Sequence, residues 1–190
     1  CCSPQPANER SLGLAGSALC LRDSSMTRAA LGVFVVTGDI PAMWLRDSSA
    51  QLWPFLGMCD LPEVAAQIGD VIARQWHCVG VDPYANAFNP GPTGAHFDPA
   101  DLNLAEELWE RKYEVDSLAF PVDLAWRFWQ RTARREHLDD AVHEGCVRIV
   151  DVWSLEQDHT TRSANRHLRR SEPAHPLVEG GGGGGVGYTG

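Results

Sequence analysis

Apolar side chains at helical spacing dominate the middle of the chain and limit it to helices that each bury one face. Val64, Ile68, Val71, Ile72 and Trp76 recur three to four residues apart, which predicts a helix with one core-facing stripe. Its start is marked by Asp60 as cap, Pro62 in the first turn and Glu63 three residues after the cap. Its end falls near Gly80. Leu118, Val122, Ala125, Trp126 and Trp129 predict a second stripe, in a helical stretch from Leu104 to about Arg135 that is interrupted near Tyr113 to Ser117 and bent at Pro121. Ala141, Cys146, Ile149, Val150 and Trp153 predict a third, between about Leu138 and Trp153. A shorter helix is expected from Asp47 to about Cys59, kinked or ended by Pro54. Leu31 to Val36 reads as a strand or as an extended approach to a turn at Gly38. With no paired strands expected, the fold class is all-α, an arrangement of helical hairpins.

The connections differ in character. Val81 to Asn103 is rich in Pro, Gly, Asp and Asn and reads as loop, and a loop of about twenty residues inside a compact domain is often functional or disordered. Beyond Thr160 hydrophobicity falls, and Gly180 to Gly185 is an unbroken glycine run. Such a run reads as a flexible linker or a repeat expansion, and it lacks the Gly-Lys-Ser or Gly-Lys-Thr ending of a phosphate loop. The expected organisation is an irregular segment over 1–30, a helical domain over 31–159 and a Gly-rich tail over 160–190.

Charge and cysteine usage narrow the function. A formal net charge of -9 over 190 residues argues against a nucleic-acid partner, which needs a clustered basic surface. Arg162 to Arg170 is the densest basic stretch and reads as a solvated segment. No apolar run approaches the roughly 20 residues that span a bilayer. Cys1 to Ser11 lacks the apolar centre of a signal peptide, which leaves localisation open, the secretory pathway included. Cys1, Cys2, Cys20, Cys59, Cys78 and Cys146 form no C-x-x-C pair, and neither His77-Cys78 nor His143 with Cys146 has a zinc-finger spacing, so no metal site is expected. Cys59, Cys78 and Cys146 are expected as buried free thiols.

The richest local chemistry is TGDIPAMWLRDSSAQLWPF, Thr37 to Phe55. An indole face suits the C–H surface of a sugar ring, while an arginine and a carboxylate suit neighbouring hydroxyls. Trp44, Arg46 and Asp47 supply these groups, with Asp39 just upstream. The same residues also fit a helix start with Asp39 or Asp47 as cap and the tryptophans as core. Asn86 is a hydroxyl-binding candidate or a residue closing a turn through its own side chain. Lys112, Glu114 and Asp116 share one side if extended, whereas a helix separates the first two by about 200°. They read as a polar patch at a hairpin mouth or as a charged helix start. LRDSS occurs at Leu21 to Ser25 and again at Leu45 to Ser49, too short a match for a repeat architecture.

The string GDIPAMWLRDSSAQ resembles the signature of glycoside hydrolase family 125, the inverting exo-α-1,6-mannosidases. DPYANAFN at Asp82 to Asn89, WERKYEVDSLAFPVDLAWRFW at Trp109 to Trp129 and DVWSLEQDH at Asp151 to His159 resemble it in the same order. A Trp-x-Arg-Asp element is also similar to one in glucoamylases and trehalases, the alternative six-hairpin glycosidases. The resemblance implies a partial (α/α)6 barrel over 31–159, because six helical hairpins need about twice this length. It implies a mannose-containing glycan as partner, no metal or other cofactor, and Asp39, Trp44, Arg46, Asp47, Asn86, Glu114 and Asp116 as substrate-binding residues. It assigns no catalytic residue here, since the family's general acid and base are expected beyond Gly190. The chain alone is thus expected to show no mannosidase activity, and a catalytically dead paralogue or a sugar-binding remnant is the competing reading. The isolated chain is also expected to expose the contact faces of missing hairpins.

Overall fold

The computed structural model describes residues 26–29, 32–98, 100–102 and 104–166. The first LRDSS copy, Cys1, Cys2, Cys20, Arg169, Arg170 and the glycine run lie outside the described residues. The chain enters as an antiparallel hairpin of β1 (Met26–Ala29) and β2 (Gly32–Val35), with Met26 opposite Val35. The expected strand around Leu31 to Val36 is thus β2, and its Val33, Phe34 and Val35 are all buried.

Four helices follow in the order foreseen. α1 spans Leu45–Leu52 and tightens into a 3₁₀ turn over Trp53–Met58, where Pro54, lacking an N–H, falls in the first turn. α2 (Pro62–Val81) buries Val64, Ile68, Val71, Ile72 and Trp76 as its periodicity predicts. Its cap differs: Leu61 precedes the helix without a side-chain bond, while the Asp60 carboxylate accepts from the Arg131 guanidinium. α3 (Val115–Thr132) contains Pro121 and ends at Ala133, whose φ of 56° is left-handed. α4 (Asp140–Glu156) is capped by Asp139, which accepts from the Val142 N–H at 3.1 Å. A short α5 (His159–Arg162) closes the described chain.

α2 sits at the centre, against β2, α3 and α4, and α1 packs on α3. Two glycines permit the closest approaches. A Cβ at Gly32, where φ is 102°, would lie 2.4 Å from the Asp70 carbonyl oxygen, and one at Gly145 would lie 2.5 Å from the Trp76 ring. Cys59 and Cys78 are buried free thiols and Cys146 is half-buried. Burial pushes Cys78 up to about 12, which keeps it neutral and unreactive.

Three expectations are corrected. Paired strands do occur: besides the hairpin, β3 (Met43–Trp44), β4 (Ala87–Phe88) and β5 (Leu108–Glu110) form an antiparallel sheet in the order β3-β4-β5. The architecture is mostly helical with these short strands inserted, and two of them fall in stretches read as loop and helix. The buried stripe of α3 is Leu118, Pro121, Leu124, Ala125 and Phe128, one step around the helix from the one foreseen. Trp126 is consequently 51% exposed and packs against Trp129, with ring centroids 4.8 Å apart. Val150 is likewise 57% exposed beside exposed Val147 on α4, so both helices carry uncovered apolar surface.

Candidate sugar-binding site

The small sheet brings the three motif segments side by side. Trp44 ends β3 in extended conformation, with φ −80° and ψ 135°, and pairs with Ala87, which in turn faces Glu110. The Leu45 N–H donates to the Asn86 carbonyl at 3.2 Å, so an otherwise unpaired N–H at the start of α1 is satisfied by the neighbouring segment. The sheet therefore sets the position from which Arg46 and Asp47 project.

Asn86 is buried at the junction. Its Nδ2 donates to Glu110 Oε2 at 2.7 Å and its Oδ1 accepts from the Lys112 N–H at 3.2 Å. The side chain thus crosses between segments and ties the connection after β5 to the turn before β4. Residues 111–114 connect β5 to α3, and Glu114 is extended, with φ −135° and ψ 122°, just before the first turn of α3. That geometry carries Glu114 and Asp116 to one guanidinium.

Arg46 Nη1 donates to Asp116 Oδ2 at 2.9 Å and lies 3.5 Å from Glu114 Oε2, while its Nε lies 3.4 Å from Asp47 Oδ1. One cation therefore faces three carboxylates, from α1, from the first turn of α3 and from the residue that precedes α3. Burial opposes the charge on Arg46, but the hydrogen bond and charge of Asp116, with Glu114 and Asp47, outweigh it and raise its pKa. Glu114 is 5% exposed, with its Oε2 also accepting from Ser117 Oγ at 3.0 Å. Asp47 and Asp116 are more open. Spare carboxylate oxygens around an anchored guanidinium accept from hydroxyl donors, and the guanidinium donates to hydroxyl lone pairs.

The structure thus joins Arg46, Asp47, Glu114 and Asp116 directly and ties Asn86 to them through the sheet. Trp44 stands half-buried at its edge, and Asp39 is exposed in the bend before β3, outside this network. Glu110 and Ser117 complete the assembly. Ser117 was readable as Glu-x-x-Ser at one-turn spacing, whereas nothing in the local sequence marks Glu110 as a partner of Asn86.

Glu114 makes a pH prediction. Burial raises its pKa, and the Ser117 hydrogen bond and the Arg46 charge only partly offset that. A raised folded value means that the native state holds the proton more tightly. Its stabilising contribution is therefore full below the unfolded carboxylate range and is lost as pH rises through the folded value. Glu114→Gln mimics the neutral form throughout. In urea titrations it is expected to be more stable than the parent at pH 7, with the gap vanishing near pH 4. An equal gap at both values would contradict this assignment.

A separate polar centre lies at the end of α4. The fully buried Glu156 accepts from Tyr84 Oη at 2.7 Å and Ser163 Oγ at 2.6 Å, and pairs with His159 Nδ1 at 2.6 Å. Burial first, then the Glu156 hydrogen bond, raises the Tyr84 phenol. Beside it is a cleft of about 620 Å³ lined by Tyr84, Arg111, Ser163, Asn165 and Arg166, among others. Arg111 is held by Asp82 at 2.6 Å and by the Asn165 side chain. Among the described residues, no group of three or more His, Cys, Asp or Glu side chains is disposed to hold a metal ion, and no helix is long and apolar enough to cross a membrane.

Comparison with known proteins identifies the family. A solved Streptococcus pneumoniae structure, described among metal-independent alpha mannosidases and as a non-productive substrate complex with alpha-1,6-mannobiose, aligns with a TM-score of 0.77 and 36% identity. The alignment covers 84% of this chain and 38% of that one. The meiotically up-regulated gene 157 protein of Schizosaccharomyces pombe (strain 972 / ATCC 24843) is 37% identical over 109 residues, which span 52% of this chain and 21% of the relative. The chain thus spans well under half the length of either protein. The sequence model described as "Metal-independent alpha-mannosidase (GH125)" matches residues 20–177, and the chain belongs to that glycoside hydrolase family.

Proposed function

We propose that this chain forms the mannose-gripping part of an inverting exo-α-1,6-mannosidase acting on terminal mannose of mannosides or N-glycan-type glycans. The observation that carries the reading is the single Arg46 guanidinium held among Asp47, Glu114 and Asp116. Hydroxyls of a terminal mannose would donate to the carboxylates and accept from Arg46, while the Trp44 indole offers a face to the ring. The mannobiose bound by the pneumococcal relative supports the substrate class.

Inversion requires a protonated carboxyl and a second carboxylate about 6.5–9.5 Å apart, on opposite sides of the scissile bond. Glu114 and Asp116 share one guanidinium on one side. They suit holding and orienting the sugar, which contributes through proximity. Neither role is assigned to Glu114 or Asp116. Titrating the chain with α-1,6-mannobiose while following tryptophan fluorescence, with Trp44→Phe as control, should give a saturable change and release no mannose. Absence of saturation would sink the sugar-binding reading, and released mannose would place the acid and base within the chain.

A further inference from the structure

α1 has an unusual back. Ser48, Ser49 and the Gln75 side chain of α2 are each 0% exposed, in a core otherwise filled by Leu45, Leu52, Ile68, Ile72 and Leu118. Gln75 Nε2 donates to Ser48 Oγ at 2.9 Å and Ser49 Oγ at 2.8 Å and also lies 3.4 Å from the Leu45 carbonyl oxygen. Each serine in turn donates to the Leu45 carbonyl, at 3.1 and 2.9 Å. Every donor therefore points one way, from α2 through two hydroxyls to the first residue of α1. A side chain serving only to fill volume would be apolar, since burying an amide costs desolvation that its hydrogen bonds only offset.

What the arrangement fixes is direction. Successive residues of an α-helix turn by about 100°, so pinning Ser48 and Ser49 inward sends Arg46 and Asp47 to the face turned toward Glu114 and Asp116. We infer that Gln75 is a positioning residue: through Ser48 and Ser49 it sets the rotation of the first turn of α1 and thereby aims Arg46 and Asp47 at the sugar. The inference rests on the sugar-binding reading above for its ligand, though its geometric content stands apart from it.

The test is Gln75→Met in the full chain, which keeps volume and removes the donors. Two readouts are needed, both taken well below the melting temperature. The first is affinity for α-1,6-mannobiose by calorimetry, and the second is the NMR signature of hindered rotation at the Arg46 guanidinium. Loss of affinity by about tenfold together with release of the Arg46 rotation supports positioning. A lowered melting temperature with both readouts unchanged makes Gln75 merely structural and overturns the inference. If the parent chain binds no mannobiose, the sugar reading fails while the Arg46 signal alone still decides the positioning role. If Gln75→Met does not fold, the double variant Ser48→Ala with Ser49→Ala removes both hydroxyls of the relay, and unchanged Arg46 rotation in it overturns the inference.

Discussion

Arg46→Ala is expected to lower affinity for α-1,6-mannobiose by about a hundredfold, the upper part of the roughly 1.5–3 kcal/mol that a hydrogen bond from a charged donor contributes. The loss has two sources. The donor that reaches the sugar disappears, and the three carboxylates that it holds together now repel one another. Glu114 suffers most, because burial already raises its pKa and Arg46 is one of the groups holding it down. Without the guanidinium it should protonate at still higher pH, converting a hydrogen-bond acceptor for the sugar into a neutral acid. Stability falls less than binding, by about 2 kcal/mol, because Arg46 is 25% exposed and water partly replaces it. Arg46→Lys should not restore affinity, as a point charge lacks the planar fork that spans Asp116 and Asp47. Calorimetry on the three proteins with urea midpoints alongside is sufficient. Full affinity in the alanine variant would remove Arg46 from the binding site.

Much of this site was legible because its parts are local. Trp44, Arg46 and Asp47 stand within four residues, and Glu114 and Asp116 fall at the start of α3, the charged helix start that was one of the two readings of that stretch. The pairing of those two groups was not legible from spacing alone. It joins residues 70 positions apart through a sheet whose strands are two or three residues long, too short to leave a period of two. Asn86 shows the same limit: its side chain joins Glu110 and the Lys112 N–H, a cross-segment role that composition does not signal. Helical periodicity placed α2 well because that helix is covered on several sides by β2, α3 and α4. It misphased α3, where Trp126 and Val122 are apolar yet exposed. Apolarity reports what a face can bury, and the neighbours decide whether it does.

Glu156→Ala is expected to be the most damaging substitution for folding, at about 3–5 kcal/mol, or roughly 10 °C or more in melting temperature. Its carboxylate is fully buried and receives Tyr84, Ser163 and His159, so truncation strands three polar groups at once. Arg166 Nη1 lies 3.3 Å from His159 Nε2, and a guanidinium can only donate, which puts the imidazole proton on Nδ1 facing Glu156. Glu156→Gln should therefore be intermediate. Its oxygen can still accept from Tyr84 and Ser163, but its amide would set an N–H against the His159 N–H, at a cost of about 1–2 kcal/mol. The damage should spread toward the sugar site, because Tyr84 belongs to the turn that precedes Asn86 and its N–H is bound by Asp82 at 2.8 Å. Hydrogen exchange at Asn86 and Ala87 should rise in Glu156→Ala before global unfolding. Unchanged exchange there would mean that the α4 end and the sugar site are energetically separate, and an unchanged melting temperature would mean that the buried carboxylate contributes no net stability.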